Sequence, residues 1–271
     1  MKYQDQELEK LKTVEIDILK EIIRVCEAND LVYFTVGGTT LGAIRHNGFI
    51  PWDDDIDIGM LRDDYERFLL IAPHELREGY TLTHFIYDEN VPTYFAKVRK
   101  DGTKFVEEYT KDINMHQGVY VDVFPFDYVP ENKKIRRRYN RKVFFWNQLF
   151  IAKSVKTTTF HPKKNIALLN AIRRTLHFLL KPFPKQILFN KTDSALRKYD
   201  NTMTSMVSSR GLEVFCVEIE DILPPITHSF ESIDVSVPAR TDKVLRKQYG
   251  DYMCLPPEED RLNHAPQELR L

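Results

Sequence analysis

Between Val36 and Met60 the chain reads VGGTTLGAIRHNGFIPWDDDIDIGM, and this block limits the possible folds more than any other stretch. It sets Gly37, Gly38 and Thr39 ahead of an alternating run of acids, Asp53, Asp55 and Asp57. Side chains alternate across a strand, so these carboxylates are expected to share one face. Clustered carboxylates repel one another unless a divalent cation lies between them, and hard oxygen donors suit Mg²⁺ or Mn²⁺. Two adjacent glycines permit a tight turn whose backbone N–H groups can approach a phosphate. Phosphate cradle and metal-binding acids together are equipment for moving a phosphorus group. Ile56 and Ile58 alternate with the acids, which argues for a half-buried strand over an acidic turn in water. Asp53 has two readings, orienting a metal-bound water or capping a turn.

The rest of the pattern is that of an α+β chain. Residues from about Gln6 to Asn29 repeat Leu8, Leu11, Ile18, Ile22 and Val25 at helical spacing. Leu31 to Val36 reads as a strand ending at Gly37-Gly38, with Thr39 capping a short helix, TLGAIRH. Asp55 to Met60 reads as a strand and Arg62 to Ile71 as a helix. Further strands are expected at Tyr80 to Ile86 and Tyr94 to Val98. The turn signal Asp101-Gly102 would let Lys104 to Glu108 pair back as a hairpin. Val119 to Phe124 is a strand that places Asp122 alone among apolar residues, where an unpaired carboxylate is costly. Asp122 is therefore the best candidate for a third metal-binding acid, a salt-bridged structural role being the alternative. Ala239 to Tyr249 reads as a helix closed by Gly250.

Charge is distributed unevenly. Asn132 to Thr192 holds sixteen Lys or Arg and no Asp or Glu, leaving −17 for the rest of a chain whose net charge is −1. The segment reads as two or three helices broken at His161-Pro162 and at Pro182 and Pro184, with KKIRRRYNRK (Lys133 to Lys142) its densest cluster. A one-sign run of this length suggests an anionic partner. Three readings are open to it: a structural helical subdomain, a nucleic-acid surface, and docking on an anionic membrane. No nucleic-acid module is recognised and no nucleic-acid partner is expected. Docking is favoured, because basic side chains and amphipathic runs such as IALLNAIRRTLHFLL suit a lipid interface. No apolar run is long enough to span a bilayer, and the polar, acid-rich start is unlike a secretory signal. Cys26, Cys216 and Cys254 form neither a zinc-ligand spacing nor a disulfide framework. The expected location is cytoplasmic, peripheral on the inner face of the membrane.

GGTTLGAIRHNGFIPWDDDIDIGMLRDDYERF closely resembles the LicD family, related to fukutin and fukutin-related protein within the nucleotidyltransferase-fold superfamily. FAKVRKDGT, GVYVDVFPFD, FESIDVSVPARTDKVLRKQYGDYMCLPP and a late His264 resemble later family blocks in the same order. The resemblance implies a nucleotidyltransferase-type mixed sheet flanked by helices. It implies a metal site on Asp55 and Asp57 with Asp122 as third acid, and a phosphotransferase using a nucleotide-activated donor. CDP-choline is the expected donor and CMP the leaving group. The acceptor would be a sugar hydroxyl of a lipid-linked teichoic acid, lipopolysaccharide or capsule precursor. Fifteen residues separate Thr39 from Asp55, more than in the simplest superfamily members, and RHNGFIPW fills the excess. Basic groups must hold such a donor, and Arg45, His46, Lys97 and Arg99 are the candidates, each with a structural alternative. Trp52 is placed to stack on a base or a choline ammonium, with Tyr94, Phe124, Phe126 and Tyr128 as further cage or core residues. The expected organisation is a catalytic core over 1–130, a basic helical subdomain over 131–200, and a C-terminal part over 201–271 that folds back. The rivals are another activated alcohol or sugar phosphate as donor, a non-catalytic binding protein, and an RNA-directed nucleotidyltransferase.

Overall fold

The computed structural model describes residues 5–157, 166–261 and 263–271. The chain opens with helix α1 (Asp5–Ala28), strand β1 (Phe34–Thr35), helix α2 (Gly37–His46), strand β2 (Asp57–Leu61) and helix α3 (Arg62–Glu75). Strands β3 (Tyr80–Thr83), β4 (Ala96–Lys100), β5 (Lys104–Val106) and β6 (Tyr120–Tyr128) follow. Three helices come next, α4 (Lys133–Ser154), α5 (Ile166–Leu180) and α6 (Lys185–Leu196). The C-terminal part supplies β7 (Met206–Ser209), β8 (Val217–Glu218), α7 (Ile219–Ile222), β9 (Ile226–Phe230), β10 (Ile233–Val237), α8 (Thr241–Tyr249) and β11 (Glu268–Arg270).

Strands β1-β2-β6-β4-β3 form a mixed sheet, to which β7 adds on β6 and β8 on β7. The β2–β6 pair is parallel and its neighbours are antiparallel. Alternation sorts the two faces of this sheet. Ile58 and Met60 of β2 and Val121 and Val123 of β6 point into one core with Leu11, Ile18 and Ile22 of α1 and Phe68 of α3. Phe124 and Phe126 point the other way, toward Phe34, Val207, Val217 and Val244. Asp57 and Asp122 lie opposite each other in the register of β2 and β6, on the face that Phe124 and Phe126 share.

The helical unit is not a detached lobe. Tyr139, Val143 and Phe150 of α4 and Leu188 and Leu196 of α6 share a core with Phe85, Tyr94 and Val129. Asn132 caps α4, its side chain accepting from the N–H groups of Lys134 and Ile135. The expected break at His161-Pro162 lies outside the described residues; the prolines Pro182 and Pro184 do separate α5 from α6.

Several element boundaries differ from the sequence pattern. The strand expected over Leu31 to Val36 shrinks to Phe34–Thr35, and α2 begins at Gly37, so Thr39 lies inside the first turn and is not its cap. The strand expected from Asp55 starts at Asp57. The hairpin expected from Lys104 to Glu108 does not form. Both edges of β4 are taken, by β3 and β6, and β5 pairs with β11 instead.

Candidate active site

The acids converge where α2 begins and β2 and β6 run side by side. Gly37 has φ +57, and α2 starts there with Val36 as N-cap. The first N–H groups of a helix lack intrahelical partners and carry partial positive charge. Gly38 is needed for close approach: a Cβ at that position would lie 2.7 Å from Asp53 Oδ2. The Thr39 hydroxyl accepts from the Asp57 N–H at 2.8 Å and ties the turn to the start of β2. The glycine pair therefore seats carboxylates against a helix N-terminus, the same place that favours a phosphate.

Electrostatic strain marks the cluster. Burial, then Asp55 and Asp54, raise Asp53 to about 7. Burial raises Asp55 to about 6 against the opposing pull of His264. Asp57 is pushed well above the ordinary range by burial and by Asp55 and Asp122, with Arg210 opposing. Asp122 is raised by burial and pulled back by Lys97, whose Nζ lies 2.9 Å from Asp122 Oδ1. Asp53, Asp55 and His264 each offer a ligand atom within 4.8 Å of the others. Two mutually repelling carboxylates at that separation fit one divalent cation; their oxygens suit Mg²⁺ or Mn²⁺, and an imidazole ligand would favour Mn²⁺ over Mg²⁺.

The structure redistributes the expected roles. Asp53, the least determined acid in the sequence, shares a potential ligand group with Asp55 and His264. Asp122 already has a cation, since Lys97 bridges it to Glu107 at 3.8 Å and sits 3.3 Å from the centre of the Tyr120 ring. Lys97 thus enters the site as the partner of Asp122. Arg99 is buried, donating to Thr83 Oγ1 and the Gly118 carbonyl, and is not presented to a ligand. Arg45 and His46 lie at the far end of α2, about 12 Å of helix from Gly37. There Arg45 donates to His46 Nε2 and to the Tyr252 carbonyl, and burial followed by Arg45 lowers the His46 pKa. Trp52 is covered on one face by the Arg261 guanidinium, 4.9 Å from the ring centre. Tyr94, Phe124 and Phe126 are core residues.

Three groups went unseen in the sequence. Arg210 follows β7 in the left-handed conformation, φ +57, and lies 4.5 Å from the Phe124 ring centre and 5.5 Å from that of Phe215. Its Nε is buried without a hydrogen-bond partner, and its charge acts on Asp57. Asp54, buried, accepts the His264 N–H on both carboxylate oxygens at 2.9 and 3.0 Å and so pins the C-terminal segment over the acids. The imidazole also meets Asp54, Nδ1 lying 3.3 Å from Oδ1, and that side-chain contact with the nearby acids raises His264 to about 9. Glu15 of α1 reaches the cluster from the core side; burial, then Asp55, Asp54 and Asp53, push it well above the usual carboxylate range. Glu15 falls between Leu11 and Ile18 on the buried stripe of α1, so an acid breaking an apolar period was its available signal. Arg210 had none, since SSRG reads only as a turn.

The sequence model of the LicD/FKTN/FKRP nucleotidyltransferase domain matches residues 30–171. The chain belongs to the LicD family. The matched segment runs from just before β1 into α5 and so carries Asp53, Asp54, Asp55, Asp57 and Asp122. Lipopolysaccharide cholinephosphotransferase LicD of Haemophilus influenzae is 29% identical over 264 residues, 96% of this chain and 97% of that protein. An uncharacterised Rickettsia typhi protein is 32% identical over 120 residues, 43% of this chain and 35% of its own length. Ribitol 5-phosphate transferase FKRP of Homo sapiens is 29% identical over 105 residues, 39% of this chain and 19% of that protein.

Proposed function

We propose that the protein is a metal-dependent transferase on a nucleotidyltransferase-type core. It moves phosphocholine from CDP-choline to a sugar hydroxyl of a lipopolysaccharide or related cell-surface glycan precursor and releases CMP. The observation that carries the reading is the convergence of Asp53, Asp55 and Asp57 with Asp122 and Arg210 around the first turn of α2. End-to-end similarity to the Haemophilus cholinephosphotransferase supports the choice of donor and acceptor.

In this reading the acceptor oxygen forms a bond to the choline-bearing phosphorus as the bond from that phosphorus to the bridging oxygen of CMP breaks. Asp53 and Asp55, with Asp57 beside them, would hold Mg²⁺ or Mn²⁺, which would supply neutralising charge to the donor phosphates. Arg210 offers a buried, unpaired Nε–H beside Asp57, and flanking rings keep water from it. The first N–H groups of α2 add donors on the opposite side. Asp122 takes the acceptor proton, since burial raises its pKa while Lys97 holds it in place. His264, held by Asp54, closes the rim of the cluster.

A second donor remains a reading of its own on one observation. Arg261 covers Trp52 and Arg210 covers Phe124, so two rings of the kind that cage a choline ammonium already hold cations. Another alcohol phosphate, such as ribitol phosphate, needs no such cage. The test is nucleotide release from CDP-choline, CDP-ribitol, CDP-glycerol and UDP-sugars, with lipopolysaccharide as acceptor and Mg²⁺ or Mn²⁺ present. CMP release from CDP-choline is expected, lost in Asp57→Asn and lowered roughly 100-fold in Arg210→Ala. Full turnover by a well-folded Asp57→Asn enzyme would refute the assignment of the acids. Release from CDP-ribitol alone would replace choline by ribitol.

A further inference from the structure

Helix α5 is apolar on both sides: Leu176 and Leu180 pack into the core shared by α4 and α6, and a second set of apolar side chains faces solvent. Its sequence, IALLNAIRRTLHFLL, has apolar residues on more than one face, and the face turned to solvent is an apolar one. Leu168, Ile172, Phe178 and Leu179 are each 49–67% exposed. Their spacing places Leu168, Ile172 and Leu179 on one stripe, with Phe178 beside it. The inward side carries polar contacts: Arg173 donates to Gln148 Oε1 at 2.8 Å, and His177 Nδ1 lies 3.1 Å from the Ala152 carbonyl. A helix packed only for its own stability needs one apolar stripe, and α5 already has one in Leu176 and Leu180, so the exposed second stripe is surplus to packing. The apolar surface also extends past the helix. Phe183 is exposed on the α5–α6 connection, and so is Phe144, one and two turns before the Gln148 and Ala152 that touch α5.

The surroundings select the occupant. The segment 132–192 has sixteen cationic side chains and no acid, so a symmetric contact with a second copy would press like charges together. At the C-terminal end of the stripe an open groove of about 650 Å³ gathers Lys153, Lys156, Lys181 and Lys185 against Glu89 and Asp112. An apolar stripe with a collar of lysines and arginines matches the layering of acyl chains and phosphates in an anionic leaflet. No helix among the described residues is long and apolar enough to cross a membrane, so the contact is one of lying on the surface.

We infer that the outer face of α5 docks this protein on an anionic lipid bilayer, with Leu168, Ile172, Phe178 and Leu179 entering the interface and Arg174 and Lys181 contacting lipid phosphates. This inference stands apart from the proposed reaction and needs none of its residues. The test is flotation of the full chain with vesicles of phosphatidylcholine alone and with vesicles in which about a third is phosphatidylglycerol. The protein should float with the second and stay behind with the first. Replacing the four apolar residues by Ser should weaken partitioning about tenfold or more, and Arg174→Gln with Lys181→Gln should weaken it and remove part of its salt sensitivity. All these side chains are exposed, so melting temperatures should stay within a few degrees of the parent, which separates lost docking from lost folding. Absence of flotation, equal flotation with both vesicle types, or equal flotation of the four-Ser variant would each overturn the inference. Sedimentation as a dimer that dissociates in the four-Ser variant, without vesicle binding, would assign the face to a second copy instead.

Discussion

A methyl group on Gly38 would stand 2.7 Å from Asp53 Oδ2, far inside ordinary carbon–oxygen contact. Gly38 does not have a positive φ, so the obstacle is the carboxylate and not the backbone. Gly38→Ala must therefore displace Asp53 from the ligand group it forms with Asp55 and His264. The expected result is a loss of turnover of about tenfold or more with a stability cost of roughly 1–3 kcal/mol. Metal titration of turnover checks it, and unchanged metal affinity in Gly38→Ala would show that Asp53 is no ligand. At this scale the sequence disclosed what lies close together in the chain. The acids and the glycine pair are separated by a short connection and fall on one block, whereas Arg210 arrives from a strand far along the chain. Lys97 and Arg99 were visible as cations but not as partners. Only pairing in space gives Lys97 to Asp122 and sends Arg99 inward to Gly118.

Among the elements, those whose burial pattern is local were legible and those fixed by distant pairing were not. Helix α1 follows its apolar period nearly end to end, because a continuous stripe packs on the sheet. Strand β5 did not pair back on β4 because β3 and β6 already occupy both edges, a fact no turn signal contains. Its partner β11 lies at the far end of the chain, a few residues after His264. The tail is thus fastened twice, at Asp54 and at β5, and the first fastening sets the His264 imidazole on the acid cluster. Asp54→Ala removes the first fastening and leaves the His264 N–H without its buried acceptor. The expected cost is about 1–3 kcal/mol, with faster amide exchange confined to residues near 263–271. Exchange rates that stay at parental values in that segment would show that β11 alone holds the tail.

For the whole molecule, the division of charge sets how stability depends on pH. The acid cluster is buried against a helix that contributes one more carboxyl, Glu15, while the positive charge is gathered in the α4–α6 unit. In the metal-free chain Asp53 and Asp55 titrate near 7 and 6 in place of 3.8, so the folded state binds protons that the unfolded chain has released. A raised carboxyl pKa lowers stability as pH rises from the unfolded value through the folded one. His264, raised from 6.5 to about 9, adds a contribution that is full below 6.5 and lost as pH climbs through 9. Asp17, Glu21 and Glu213 are shifted downward, so what they contribute is lost only in acid, at or below ordinary carboxyl values. Between pH 5 and pH 8 the raised groups act in one direction; buried His84, lowered from 6.5 to about 4, opposes them only below pH 6.5, and metal-free protein should lose on the order of 2–4 kcal/mol of stability net. On the proposed assignment Mg²⁺ or Mn²⁺ would compete with protons for the same oxygens, and it should then raise the melting temperature by several degrees at pH 8 and hardly at all at pH 5. Thermal melts in chelator and in millimolar metal at the two pH values measure both effects. A metal-free melting temperature that is flat or rises from pH 5 to pH 8, or an equal metal-induced shift at both, would mean that these acids share their burden with something other than a cation.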